Sequence, residues 1–134
     1  EEEEAVAAFG LNLGMTFQIV DDLLDFTGDP DVLGKPVLSD LAEGRVTLPL
    51  IRALKTDGRS ERERIKGLIG RKDISAEERR KLLGTLAAGG AFDYAGLKAR
   101  EFAERSLEFV NRFPDSTPRE TLIRLAVFAL TRKR

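Results

Sequence analysis

The segment 2–26 most constrains the fold of this chain, because its pattern predicts one long helix with a narrow polar stripe. No proline interrupts the segment, and the Gly-Asp-Pro turn at residues 28–30 follows it, so the helix is expected to end at about Phe26. On a helical projection the stripe spans an arc of roughly 100°. It comprises Gly14, Gln18, Asp21, Asp22 and Asp25.

Apolar side chains flank this stripe on both sides. One group falls within an arc of roughly 80° on the same projection, and it comprises Phe9, Leu13, Phe17, Val20 and Leu24. Most of the remaining surface belongs to Ile19, Leu23 and Phe26. A surface helix has one apolar stripe and a broad polar face, whereas this pattern is the reverse. The helix is therefore predicted to be central, with its carboxylates lining a cavity.

Three carboxylates in one stripe repel one another unless their pKa values rise or a cation compensates them. Mg²⁺ suits this role, because it takes oxygen ligands and typically binds one or two carboxylates together with substrate phosphates. Asp21 and Asp25 stand one helical turn apart, and Asp22 lies to the side, within reach of a second ion or a water. The alternative interpretation is a solvated acidic face.

The composition removes several kinds of chemistry. The chain has no cysteine and no histidine, which excludes disulfides, thiolate sites and the commonest general base. A net charge of −1 gives no indication of nucleic-acid binding. No apolar run in the sequence approaches the roughly 18 residues of a membrane span, and no signal-peptide pattern occurs in it. A cytoplasmic protein without a transmembrane segment is expected.

The rest of the chain predicts further helices and no strands. Asp40 with Glu43, and Ser75 with Glu78, have the spacing of capping boxes. We expect an all-α protein of about six helices that form a single domain over residues 1–134. The helices after the first are predicted at 40–55 with a kink or a loosened turn at Gly44 and Pro49, at 61–70, at 76–88, at 91–113, and from the Thr117 cap and Pro118 to 131.

A second candidate stretch follows the Asp-rich helix. Lys35 lies in a Gly-Lys-Pro loop, and Arg45 lies ten residues beyond it. A lysine at this place can meet a phosphate that the metal also holds, and its charge would stabilise a departing diphosphate. Taken singly, each of these residues is more simply interpreted as structural: Lys35 as a loop lysine, Asp40 as a helix cap and Arg45 as a surface side chain.

Together these stretches resemble a known family. FQIVDDLLDFTGD followed by LGKPVLSDLAEGRVTLPLI is similar to the second aspartate-rich region of trans-isoprenyl diphosphate synthases, the polyprenyl synthetase family. The resemblance is closest to medium- and long-chain members, such as hexaprenyl to octaprenyl diphosphate synthases. It covers nearly the whole chain, is strongest over residues 9–54, and includes the C-terminal helix.

The resemblance implies an all-α isoprenoid-synthase bundle and a transferase reaction. Such prenyltransferases condense isopentenyl diphosphate with an allylic prenyl diphosphate in isoprenoid biosynthesis, with Mg²⁺ held between two aspartate-rich helices. The metal ligands that it implies are Asp21, Asp22 and Asp25. Asp21 and Lys35 are the catalytic positions, and Asp40 has a positioning role. The positions that it implies for substrate binding are Gln18, Lys35, Arg45 and Thr47.

This chain departs from the family pattern in one respect. The first aspartate-rich motif and the basic residues for isopentenyl diphosphate should lie upstream, and the chain contains neither. We therefore expect the C-terminal half of such an enzyme, inactive alone. Side chains such as Ile19, Leu23 and Phe26 would then be exposed, and a homodimer or pairing with the missing N-terminal half would cover them.

Three other interpretations are compatible with parts of this sequence. A non-catalytic helical subunit of a heteromeric prenyl synthase has no need of the intact DDLLD sequence. Another diphosphate-ionising terpenoid enzyme, such as a cyclase, is disfavoured by the stretch from Gly34 to Pro49. A plain helical interaction module would show no magnesium-dependent binding of diphosphate.

Overall fold

Helices account for nearly all of the chain that the structure describes, residues 2–28 and 37–132 of a computed structural model. No strand occurs in these two ranges, so the predicted all-α fold is confirmed. There are seven helices in the described residues rather than about six. They are α1 (Glu2–Thr27), α2 (Ser39–Ala42), α3 (Leu48–Thr56), α4 (Arg59–Leu68), α5 (Ala76–Ala88), α6 (Ala91–Val110) and α7 (Thr117–Thr131).

Helix α1 has the length that its pattern predicts. Three glutamates occupy its first turn, where negative charge opposes the positive end of the helix dipole. At its other end the Gly28 N–H donates to the Leu24 carbonyl at 2.8 Å. The helix is therefore unbroken through the whole Asp-rich segment.

The helix predicted over residues 40–55 is instead two helices, α2 and α3. Gly44 has a φ of 81°, a conformation that favours glycine, and it ends the first helix. Pro49 lies in the first turn of α3, where its missing N–H costs nothing. The prediction of one helix with a kink or a loosened turn was wrong, because Gly44 in the left-handed conformation interrupts the helical hydrogen bonds and residues 45–47 after it are not helical.

The predicted capping box at Asp40 and Glu43 is also absent. The residue before α2 is Leu38, with a left-handed φ of 64°, and Asp40 lies inside the first turn. The second predicted box is confirmed, since Ser75 and Glu78 hydrogen-bond each other reciprocally at the start of α5. At α7 the capping side chain is Ser116, which accepts the Arg119 N–H, rather than the predicted Thr117.

The described residues form two compact units, the first from residues 2–21 and 96–132 and the second from residues 22–95. Buried apolar side chains of α1 to α6 form the core of the second unit, where the Phe26 and Phe92 rings lie 5.9 Å apart. The largest fully buried members are Leu41, Leu50, Ile65, Leu82 and Leu86. In the first unit Phe9, Val110 and Ala126 form a separate core cluster.

Exposure along α1 differs from the expectation. Ile19 and Phe26 were expected to be exposed, but they are 5% and 3% exposed, because residues of this chain pack on them. Leu23 is half-buried. The exposed apolar side chains of α1 are instead Val6, Leu11, Met15 and Phe17. No helix in the described part of the chain combines the length and apolar character that crossing a bilayer requires.

Candidate metal and diphosphate site

The Asp-rich stripe lies on the second half of α1, and its members differ in burial. Gln18 is exposed, Asp21 and Asp22 are half-buried, and Asp25 is 1% exposed. Because α1 is unbroken from Glu2 to Thr27, these residues keep the helical spacing on which the predicted stripe depends. Each aspartate therefore has its own environment within a single helix.

Asp25 anchors the start of α2. Its Oδ1 accepts a hydrogen bond from the Ser39 hydroxyl at 2.6 Å, and its Oδ2 accepts one from the Asp40 N–H at 3.1 Å. The Asp25 carbonyl also accepts the Leu38 N–H at 2.8 Å. The carboxylate thus takes the place of a side-chain cap, because it satisfies an N–H in the first turn of α2 that has no partner within the helix.

Asp40, whose N–H is bound by Asp25, in turn binds the Arg45 guanidinium through its carboxylate. The Asp40 Oδ1 accepts from the Arg45 Nη2 at 2.6 Å and from Nε at 3.2 Å, while the Arg45 Nη1 lies 2.5 Å from the Glu43 carboxylate. The hydrogen bond to Asp40 is the main cause that raises the pKa of the Arg45 guanidinium. The predicted positioning residue Asp40 and the predicted substrate-binding residue Arg45 therefore belong to one network with Asp25.

Thr47 is almost completely buried at the start of α3. Its Oγ1 makes no cap hydrogen bond, and it has no hydrogen-bond partner within the described ranges. A buried hydroxyl without a partner is costly. The predicted role of Thr47 in substrate binding stays a prediction.

Asp21 pairs with Arg132, the residue that follows α7. The Arg132 Nη2 lies 2.7 Å from the Asp21 Oδ1 and also donates to the Phe17 carbonyl at 2.7 Å. The guanidinium stacks on the Phe17 ring, with its carbon 3.4 Å from the ring centroid. A cation is thus already in contact with the aspartate that we predict to be the direct metal ligand.

Sequence reasoning missed two residues, Ser39 and Arg132. Ser39 directly precedes Asp40, and it was not singled out because its partner Asp25 lies 14 residues away. Arg132 belongs to the basic end of the chain, which carried no assigned role. Lys35, the predicted catalytic and substrate-binding lysine, lies outside the described residues.

The donor set has the chemistry that Mg²⁺ uses. Within the described ranges no group of three or more acidic side chains is arranged to hold a metal ion. Mg²⁺ commonly takes only one or two protein carboxylates and completes its shell with water and phosphate. Asp21 and Asp22 can supply that number of ligands, and both are only half-buried. Two cavities of about 350 and 710 Å³ are lined by none of the predicted site residues.

Comparison with known proteins points to one family. The profile described as polyprenyl synthetase matches residues 1–86. Over 132 residues the chain is 38% identical to the all-trans-nonaprenyl-diphosphate synthase (geranyl-diphosphate specific) of Rhodobacter capsulatus, covering 98% of this chain and 40% of that protein. It is 35% identical to the octaprenyl diphosphate synthase of Escherichia coli, covering 100% and 41% of the two chains.

Solved structures agree with these relatives. The polyprenyl synthase from Caulobacter crescentus, in complex with calcium and isoprenyl diphosphate, superposes with a TM-score of 0.87 at 36% identity, covering 98% of this chain and 40% of that one. The geranylgeranyl pyrophosphate synthase from Corynebacterium glutamicum, in complex with isoprenyl diphosphate and magnesium, gives a TM-score of 0.82 at 29% identity and covers 97% and 37%. The chain spans about two fifths of the length of the relatives it matches.

Proposed function

Because this chain belongs to the polyprenyl synthetase family, we propose that it forms one wall of a prenyltransferase site that joins isopentenyl diphosphate to an allylic diphosphate. The observation that carries the proposal is the carboxylate stripe on the unbroken helix α1. The family and its fold support the reaction class.

Asp21, Asp22 and Asp25 form the second aspartate-rich motif in this proposal. Asp21 is the direct Mg²⁺ ligand, and Asp22 binds a second ion or a metal-bound water. Asp25 holds α2 in place, and because each carboxylate oxygen has two lone pairs, it can also accept a hydrogen bond from a metal-bound water. Bound Mg²⁺ would supply the positive charge that stabilises a departing diphosphate.

Polar and cationic side chains complete the diphosphate site in this proposal. Arg45 contributes a charge whose position Asp40 and Glu43 hold, and Thr47 contributes a buried hydroxyl. Lys35, which lies between α1 and α2 in the sequence, contacts the allylic diphosphate, and Gln18 provides an amide beside the aspartates. Ionisation of an allylic diphosphate needs no histidine, which agrees with a chain that has none.

Calorimetric titration of the chain with an allylic diphosphate, with and without Mg²⁺, tests the metal role of Asp21. We expect magnesium-dependent binding that Asp21→Ala weakens about tenfold or more, the scale on which loss of a metal-site residue acts. Asp93→Ala is the matched control, because Asp93 is an exposed aspartate in the first turn of α6.

The result that would overturn the metal role is equal magnesium-dependent binding by the parent chain and the Asp21→Ala variant. If neither chain binds, the titration is repeated after the complementary N-terminal part of a related synthase has been added. Continued absence of binding in that mixture would contradict the proposed site, because the partner helix would then be present.

A further inference from the structure

Arg132 is held in a fixed position although it lies beyond the last helix. Its backbone N–H donates to the Phe128 carbonyl at 2.9 Å, which continues the hydrogen-bond pattern of α7. Its side chain is 4% exposed, and the guanidinium carbon lies 3.4 Å from the centroid of the Phe17 ring. Backbone and guanidinium are thus both restrained, and the ion pair with Asp21 is a defined contact rather than a mobile surface pair.

Because the Arg132 side chain is buried, its ion pair with Asp21 affects the affinity of any ligand that binds to Asp21. A buried guanidinium needs a counter-charge, because an unpaired charge out of water is strongly unfavourable. Asp21 provides that counter-charge while it remains 30% exposed and accessible to solvent. The Arg132 Nε has no hydrogen-bond partner within the described ranges.

A divalent cation on Asp21 would lie near the guanidinium and be repelled by it. A metal ion that binds without diphosphate must therefore either weaken the ion pair or bind in spite of the repulsion. Both effects lower the affinity of the metal ion. A diphosphate that arrives with the metal adds negative charge, which compensates the guanidinium. The penalty that Arg132 imposes is thus larger for the metal alone than for the metal together with diphosphate.

We propose that Arg132 is a positioning residue that couples metal binding at Asp21 to diphosphate binding. In the absence of diphosphate, Arg132 forms an ion pair with the Asp21 carboxylate and so lowers the affinity of Asp21 for a metal ion alone. This inference rests on the proposed function, because it takes Asp21 as a metal ligand. It assigns to the end of α7 a role that the motif residues on α1 do not supply.

The test compares the affinity for Mn²⁺ alone with the affinity for Mn²⁺ in the presence of inorganic pyrophosphate. Both affinities are measured from the electron paramagnetic resonance signal of free Mn²⁺. Arg132→Gln removes the charge and keeps an amide donor for the Phe17 carbonyl. We expect it to tighten binding of Mn²⁺ alone by about fivefold, the upper range for a partly exposed ion pair, and to leave binding with pyrophosphate unchanged or weaker.

Two control variants separate the charge of Arg132 from general effects. Arg132→Lys keeps the charge and should give a ratio of the two affinities close to that of the parent chain. Arg124→Gln removes the same charge from an exposed position within α7 and should change neither affinity. A purely structural role for Arg132 would weaken both kinds of binding together and leave their ratio unchanged, which would overturn the proposal.

The Asp21→Asn variant distinguishes failure of this inference from failure of the proposed function. If Asp21→Asn abolishes pyrophosphate-dependent Mn²⁺ binding and Arg132→Gln behaves as the parent chain does, the coupling role is overturned and the metal role stands. If Asp21→Asn binds as the parent chain does in both conditions, both are overturned. If the parent chain does not bind Mn²⁺ alone, Arg132→Gln must gain binding, and no gain overturns the coupling role.

Discussion

At the scale of single residues, the aspartates of one motif differ in their surroundings. The Asp21 side chain is 30% exposed and contacts a guanidinium, whereas Asp25 is 1% exposed and hydrogen-bonded to α2. The Asp25 carboxylate is buried and hydrogen-bonded on both oxygens. It therefore contributes to stability as well as to the proposed chemistry. Its substitution should therefore affect folding even in the absence of any ligand.

Asp25→Ala should lower the free energy of unfolding by about 1–3 kcal/mol, because the buried Asp40 N–H and the Ser39 hydroxyl lose their acceptor. Asp25→Asn should cost less, since an amide can accept from the Asp40 N–H and donate to Ser39. Urea unfolding measures both changes. The control is Asp73→Ala, which removes a largely exposed ion pair and should cost under about 1 kcal/mol. Equal costs for Asp25→Ala and Asp73→Ala would contradict the anchoring role.

At the scale of elements, the capping box of α5 combines a local sequence signal with an ion pair. The Glu78 carboxylate accepts from the Arg71 guanidinium at 2.7 Å and from the Ser75 N–H at 2.9 Å. The hydrogen bond from Arg71 is the largest cause, followed by that from Ser75, and together they lower the pKa of Glu78 from 4.5 to about 2. The stabilising effect of ionised Glu78 is therefore complete above pH 4.5 and is lost as the pH falls towards 2.

Glu78→Gln tests this dependence, because the amide keeps an acceptor for Ser75 and removes the charge. The difference in thermal midpoint between the parent chain and the variant should be constant above about pH 5 and shrink between pH 4.5 and 2. Glu104→Gln makes the same change at an exposed site on α6 and corrects for the general loss of negative charge. A difference that persists unchanged at pH 2 would contradict the ion pair with Arg71.

At the scale of the whole molecule, exposed apolar surface bears on how the proposed site is completed. The first unit exposes large apolar side chains on α1 and α7, such as Leu11 and Phe128, and exposed apolar surface of this kind commonly marks an interface. The chain spans about two fifths of the length of its relatives. We propose that a second protein part or a second copy covers this surface in the active enzyme.

It follows that the chain alone should form no prenyl product from an allylic diphosphate, isopentenyl diphosphate and Mg²⁺. The measurement is steady-state turnover with radiolabelled isopentenyl diphosphate, and the positive control is the full-length octaprenyl diphosphate synthase of Escherichia coli in the same assay. Clear product formation by the chain alone would show that the carboxylates of α1 suffice, and the proposed one-wall site would then be wrong.

Local interactions explain what the sequence by itself determined. The length of α1, the all-α fold and the Ser75 capping box depend on contacts between residues a few positions apart, which helical periodicity and capping spacing describe. The same reasoning gave the wrong result between Asp40 and Lys55, where it predicted one helix and the structure has two. Whether such a segment bends or breaks depends on Gly44, whose left-handed backbone conformation carries no distinct signal in sequence spacing.

Only the tertiary structure decided which partners the site residues take. The contact between Asp25 and Asp40 joins residues 15 positions apart, and that between Phe17 and Arg132 joins residues 115 positions apart. No periodicity encodes such pairings, because they arise when separate helices pack. The motif therefore identified the carboxylates, whereas packing made Asp25 an anchor for α2 and gave Asp21 a guanidinium as its neighbour.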